Sequence, residues 1–140
     1  IRLWPSSVNA LYGSETDLPK LTPNWDKRYL ELNDRFENRS LPLTAIYYLH
    51  ERSEDPTAPL VECFDKSEGL MSMVANTYAT KLMNKQMRAR EFGLLTRLLN
   101  NVPLRRVTPH TDPLRIPELC DRILRDYESI QTSLIKSKVV

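Results

Sequence analysis

Glycine is scarce: only Gly13, Gly69 and Gly93 occur in 140 residues, and they share no regular spacing. A phosphate-cradling loop needs clustered glycines, because backbone N–H groups must converge on the anion without interference from Cβ atoms. GxxxxGK[ST], GxGxxG and GxSxG are all absent from this sequence. Histidine and cysteine are equally sparse, at two each. His50 beside Glu51 reads as part of a solvated turn, and His110 within Thr108–Asp112 reads as a loop residue. A metal centre needs three or four convergent ligands, and no such set is spelled out, so no metal residue is assigned. Cys63 and Cys120 lack CxxC spacing and read as buried thiols in a reducing compartment. No apolar run approaches the ~20 residues that span a bilayer, and no signal peptide is visible. A cytoplasmic location without membrane contact is therefore expected. An excess of one charge is missing too: 20 basic against 18 acidic side chains leave +2, which argues against nucleic acid as a partner.

What is present fits one ordinary domain. The apolar fraction is 41% and the charged fraction 27%, within the usual range for globular chains. A chain of this length buries roughly 68–70% of its unfolded surface. Ile1 to Pro5 reads as the end of a buried strand, so an upstream segment is expected. Ser6 to Leu11 follows as a short helix stopped at Gly13. Ser14 to Trp25 is turn-rich and assigned to the surface, and Lys27 to Leu32 alternates as a short strand. Pro42 to His50 is the clearest strand, apolar enough to be covered on both faces. With Leu60–Phe64 it looks like an antiparallel hairpin.

The second half is mostly helical. Ser67 is the expected N-cap of a helix carrying Leu70, Met73, Val74, Thr77, Tyr78 and Leu82. Arg88 to Asn101 places Phe92, Leu95, Leu98 and Leu99 on one stripe, with Arg90 and Arg97 opposite. Pro103–Val107 reads as a strand returning to the sheet. Pro117 opens a last helix, with Leu119, Cys120, Ile123, Leu124 and Tyr127 on its packed face. The expected fold is mixed α/β with an antiparallel component, sheet strands in the first half and a helical cover in the second. Residues 1–131 form one domain and residues 132–140 a frayed tail.

Few residues carry candidate chemistry. Lys27 and Arg28 open a strand and are candidates to hold a phosphate or carboxylate. Arg105 and Arg106 alternate, so one faces solvent and the other reaches a cleft or an acidic partner. Arg105 is taken as the third phosphate- or substrate-contact candidate. Arg105, His110 and Asp112 are also weighed as one loop cleft of a small enzyme, but nothing orients them as nucleophile and base. No catalytic residue is assigned.

Taken in order, several blocks resemble one family. They are Arg2-Leu3-Trp4-Pro5-Ser6-Ser7, Asp26-Lys27-Arg28, Leu41-Pro42-Leu43 running into Ile46–Arg52, Asn76-Thr77-Tyr78, Phe92 with Leu95, Val102–Arg106 and Pro117–Asp121. This set, spanning roughly residues 1 to 125, is similar to the C-terminal half of HPr-kinase-like serine kinases, relatives of HPr kinase/phosphorylase and, more remotely, of phosphoenolpyruvate carboxykinases. The resemblance implies a partial core of that fold and phosphoryl transfer from ATP, with Mg²⁺, to a serine of a protein or peptide. In the family a P-loop and its acidic partners lie upstream of the RLWP-like block. No residue here matches them, so the resemblance transfers only the basic pair Lys27–Arg28. The expected partners are a P-loop-bearing half or a second copy, and the serine acceptor. The alternative is a non-catalytic α/β module or split subunit that docks on a partner.

Overall fold

A computed structural model describes residues 1–13, 18–32, 36–78 and 80–138. The chain is mixed α/β, and the described residues form two three-stranded sheets and four α-helices. The first sheet orders its strands β1 (Arg2–Leu3), β3 (Trp25–Tyr29), β2 (Lys20–Thr22), all antiparallel. β1 is an edge strand, and Ile1 and Trp4 beside it are exposed rather than buried. β2 lies where only turns are expected; residues 14–17 of that stretch fall outside the described residues. Helix α1 (Pro5–Tyr12) opens on a proline, whose missing N–H is unneeded in a first turn. It ends at Gly13, which takes the left-handed conformation at φ 76° and donates its N–H to the Asn9 carbonyl. Val8 is the helix's fully buried residue.

The second sheet positions the sites. It is ordered β4 (Ile46–Leu49), β6 (Leu104–Thr108), β5 (Leu60–Cys63). β4 runs parallel to β6, while β5 runs antiparallel to it. The expected hairpin between β4 and β5 is therefore corrected, because β6 inserts between them. Leu104 is buried and Val107 has no exposed surface, so the most buried strand is β6. A strand from the second half of the chain becomes the middle of the sheet. β4 lies at an edge and is not covered on both faces: Leu49 is 65% exposed.

Alternation along β6 divides the two faces. Leu104 packs with Phe64 and Leu99, and Ile46, Tyr48, Leu70 and Met73 close around them. Helices α2 (Lys66–Ala75) and α3 (Lys85–Asn101) form this side. The N-cap of α2 is Asp65 rather than Ser67: its carboxylate accepts from the N–H groups of Ser67 (2.9 Å) and Glu68 (3.1 Å). An offset of two residues decides this, since Asp65 precedes the first turn and Ser67 already lies within it. α2 stops at Ala75, so Tyr78 and Leu82 are highly exposed instead of continuing its stripe. Gly69 is buried within α2, and a Cβ there would collide with Leu104 Cδ2.

Helix α4 (Ile116–Lys138) covers the opposite face. It continues through the stretch expected to fray, reaching Lys138. Its inward residues are Ile116, Leu119, Ile123, Asp126 and Ile130, while Cys120, Leu124 and Tyr127 are exposed. The packed stripe is thus rotated from the expected one. Both cysteines are free and exposed, not buried. Among the described residues no helix is long and apolar enough to cross a membrane.

Candidate functional site

The three predicted contact residues do not converge. Lys27 lies on β3, where its ammonium sits 4.5 Å from the Trp4 ring centroid and 5.0 Å from that of Trp25. Two half-exposed indoles thus hold the cation by their negative faces. Arg28, half-buried, registers against Leu3 on one side and Lys20 on the other. Arg105 belongs to the other sheet. Its Nε donates to both oxygens of Asp126, at 2.9 and 3.1 Å, with only 17% and 21% of the two side chains exposed.

Tyr47, registered opposite Arg105 on β4, donates its hydroxyl to Asp126 Oδ2 at 2.9 Å. Burial, then the hydrogen bond to the Asp126 carboxylate and its charge, push the Tyr47 hydroxyl up to about 12. Asp126 therefore pins α4 to two adjacent strands. One signal for it stands in the sequence: an aspartate interrupting the apolar i, i+3, i+7, i+14 series of Ile116, Leu119, Ile123 and Ile130. Beside it lies an open cleft of about 440 Å³ bordered by Val61, Glu118, Asp121, Arg122 and Arg125. Arg115 and Arg122 both bond the Glu118 carboxylate (2.8 and 2.9 Å) and hold it below the usual carboxylate range. These charges satisfy one another and tie the helix start together.

Arg106 points to the other face. It lies 5.3 Å from the Phe64 ring centroid and between Glu62 (3.7 Å) and Glu68 (3.6 Å). His50 lines an open cleft with Arg106, Glu62 and Ser53 at the carboxyl end of β4. His110 is turned to local work, its Nδ1 accepting from the Asp112 N–H at 2.9 Å. Asp112 in turn accepts from the Leu114 N–H. His110 and Asp112 thus bond each other within their own loop, while Arg105 is committed to Asp126 on α4.

A different place draws the sequence blocks together. Ile46, Tyr47, Tyr48 and Leu49 line an open, mainly apolar cleft of about 470 Å³ with Met73, Asn76, Thr77 and Leu95. Asn76 Nδ2 donates to the Tyr48 hydroxyl at 3.3 Å and to the Ser72 carbonyl at 2.9 Å, fixing the end of α2 against the sheet. The Tyr48 ring lies 5.5 Å from Phe64, in tilted contact. The cleft follows the outer edge of β4, which pairs with no described strand on that side. Chemically it offers apolar area, two hydroxyls, an amide and unpaired strand N–H and C=O groups. It offers no nucleophile–base pair.

Among the described residues, none is arranged as a glycine-rich phosphate loop. Gly13 caps α1, Gly69 is buried inside α2 and Gly93 lies in α3, so none lines a phosphate loop. Among the described residues no group of three or more His, Cys, Asp or Glu is placed to hold a metal ion. Comparison with known family models, with characterised proteins and with solved structures finds no match for this chain.

Proposed function

We propose that this chain is the part of an HPr-kinase-like serine phosphotransferase that completes the kinase core without holding the nucleotide. The observation that carries the proposal is the cleft along β4. Three separate blocks of the resemblance meet there: Ile46–Leu49, Asn76–Thr77 and Leu95. Residues up to 49 positions apart thus build one apolar surface beside an open strand edge. Such an edge is the natural place for another strand to be added. In this reading the P-loop, Mg²⁺ ligands and general base come from another segment or chain. Lys27 and Arg28 then lend positive charge toward the phosphates, and the acceptor is a serine hydroxyl of a protein or peptide.

The encoding DNA and a transfer assay test this together. An in-frame GxxxxGK[ST] upstream of the RLWP block, or in a neighbouring gene, is the expected finding. Residues 1–140 alone should give no transfer of labelled γ-phosphate to serine, and joining them to the P-loop segment should restore it. Turnover of ATP by residues 1–140 alone would overturn the assignment. So would a P-loop protein whose activity is indifferent to this chain.

The same cleft serves a non-catalytic module that docks by strand addition. In that case binding to the partner occurs, and no phosphoserine forms in the reconstituted complex.

A further inference from the structure

Charge is unevenly distributed along the chain. Residues 77–101 carry Lys81, Lys85, Arg88, Arg90 and Arg97 against Glu91 alone, +4 in a sequence whose total is +2. Helix α3 holds four of these five cations. Arg88 directs its Nε to the Met83 carbonyl at 3.1 Å. Lys81, Lys85, Arg90 and Arg97 are exposed, and no described carboxylate pairs with any of them.

The helix carries a second pattern on its solvent side. Leu95, Leu98 and Leu99 turn inward. Met87, Arg90, Leu94 and Arg97 follow at spacings of three, four and three, which places them on one outward stripe. Met87 and Leu94 are each 50% exposed. The stripe rises about 15 Å along the axis and alternates an apolar contact with a guanidinium.

We infer that this outward stripe of α3 docks an acidic, amphipathic polypeptide segment of a partner protein. A basic amphipathic helix suits either an anionic membrane or an acidic protein groove or helix. A membrane would need the helix's wide apolar face to enter the acyl boundary, but here Leu95, Leu98 and Leu99 of that face are turned toward the rest of the domain, with Leu99 in its core. A nucleic-acid backbone would match a continuous line of cations, whereas Met87 and Leu94 interrupt it with apolar contacts. An acidic segment with apolar residues at helical spacing satisfies both halves of the stripe. The stripe uses other residues of α3 than Leu95, which lines the β4 cleft, and the inference does not depend on the phosphotransferase reading, since binding is measured without nucleotide.

The probe is a fluorescent peptide roughly 18 residues long, about five helical turns, with leucines at i, i+3, i+7 and i+10 and glutamates around them. Anisotropy with residues 1–140 should show saturable binding that weakens with salt. R90E/R97E should weaken it about tenfold or more, and Leu94→Asp should weaken it with less change in the salt dependence. R52E/K66E makes the same charge change away from α3 and should leave binding intact. Circular dichroism of each variant separates lost binding from lost fold. Absence of binding overturns the inference, as does equal weakening by R52E/K66E. Stronger binding to phosphatidylserine vesicles, to short duplex DNA or to a peptide of the same composition in scrambled order overturns it as well.

Discussion

Asp126 does more for this molecule than its place on a long helix suggests. It accepts from Arg105 and from Tyr47 at once, so removing it strands a mostly buried guanidinium and a phenol together. Asp126→Ala should lower stability by about 1–3 kcal/mol, measured as a shift of the urea midpoint at unchanged slope. By contrast, Glu37 and Arg39 are well bonded but lie at the surface, and Glu37→Ala should leave the midpoint where it is. Tyr47 adds a pH signature. Its hydroxyl titrates near 12 in the folded chain and near 10 when unfolded. The unfolded state therefore releases this proton first, and stability falls as pH rises from about 10 to about 12. Tyr47→Phe should flatten that part of the urea-midpoint profile. An unchanged profile would place the proton elsewhere. The split of Arg105 and Arg106 between two faces was legible from alternation, with one expected in solvent and the other at a cleft or an acidic partner; in the structure both meet carboxylates. Which acid answers Arg105 was not legible, because Asp126 sits on α4 and reaches Arg105 only through tertiary packing.

At the scale of elements, local signals were read well and long-range ones poorly. Pro5 and Gly13 bound α1 in sequence as they do in space, since a ring without an N–H and a left-handed φ are properties of single residues. The cap of α2 shows how narrow the margin is. Asp65 and Ser67 both suit a cap by type, and only the position of the first turn separates them. Asp65→Ala should cost about 1 kcal/mol and lower helicity by circular dichroism, while Ser67→Ala should change neither measurably. Equal effects would return the cap to Ser67. The order of the second sheet could not be read locally. β4 and β5 are close in sequence and separated by a polar turn, which favours a hairpin. Yet β6 presents Leu104 and Val107 to opposite helical layers, and burying both faces requires the central position. The rotation of α4 has the same origin: Leu124 and Tyr127 keep helical spacing as well as Ile123 and Ile130 do. Only the partners across the interface choose between these stripes.

For the whole molecule, the decisive feature is the edge that β6's insertion leaves to β4. A strand with Ile46, Tyr47, Tyr48 and Leu49 would be safe at the centre of a sheet, and at an edge it invites pairing. Natural edges are guarded by lysine, proline or a bulge. β4 has none of these, and its last residue, Leu49, stands largely in solvent. If the β4 cleft is a docking face, the isolated chain should associate with itself there. Sedimentation velocity across a range of concentrations should show a monomer converting to larger species. Leu49→Lys should restore the monomer, because it places a charge on the edge. The substitution should cost little stability, since Leu49 buries little area. Under the proposed function it should also weaken binding of a P-loop segment, while R90E/R97E on α3 leaves that binding unchanged. A chain that is monomeric at every concentration would count against β4 as an open edge. Self-association that survives Leu49→Lys would move the contact to another surface. Loss of phosphoryl transfer by Leu49→Lys, at full binding of the acidic peptide, would assign the two surfaces separate roles: core completion for β4 and partner capture for α3.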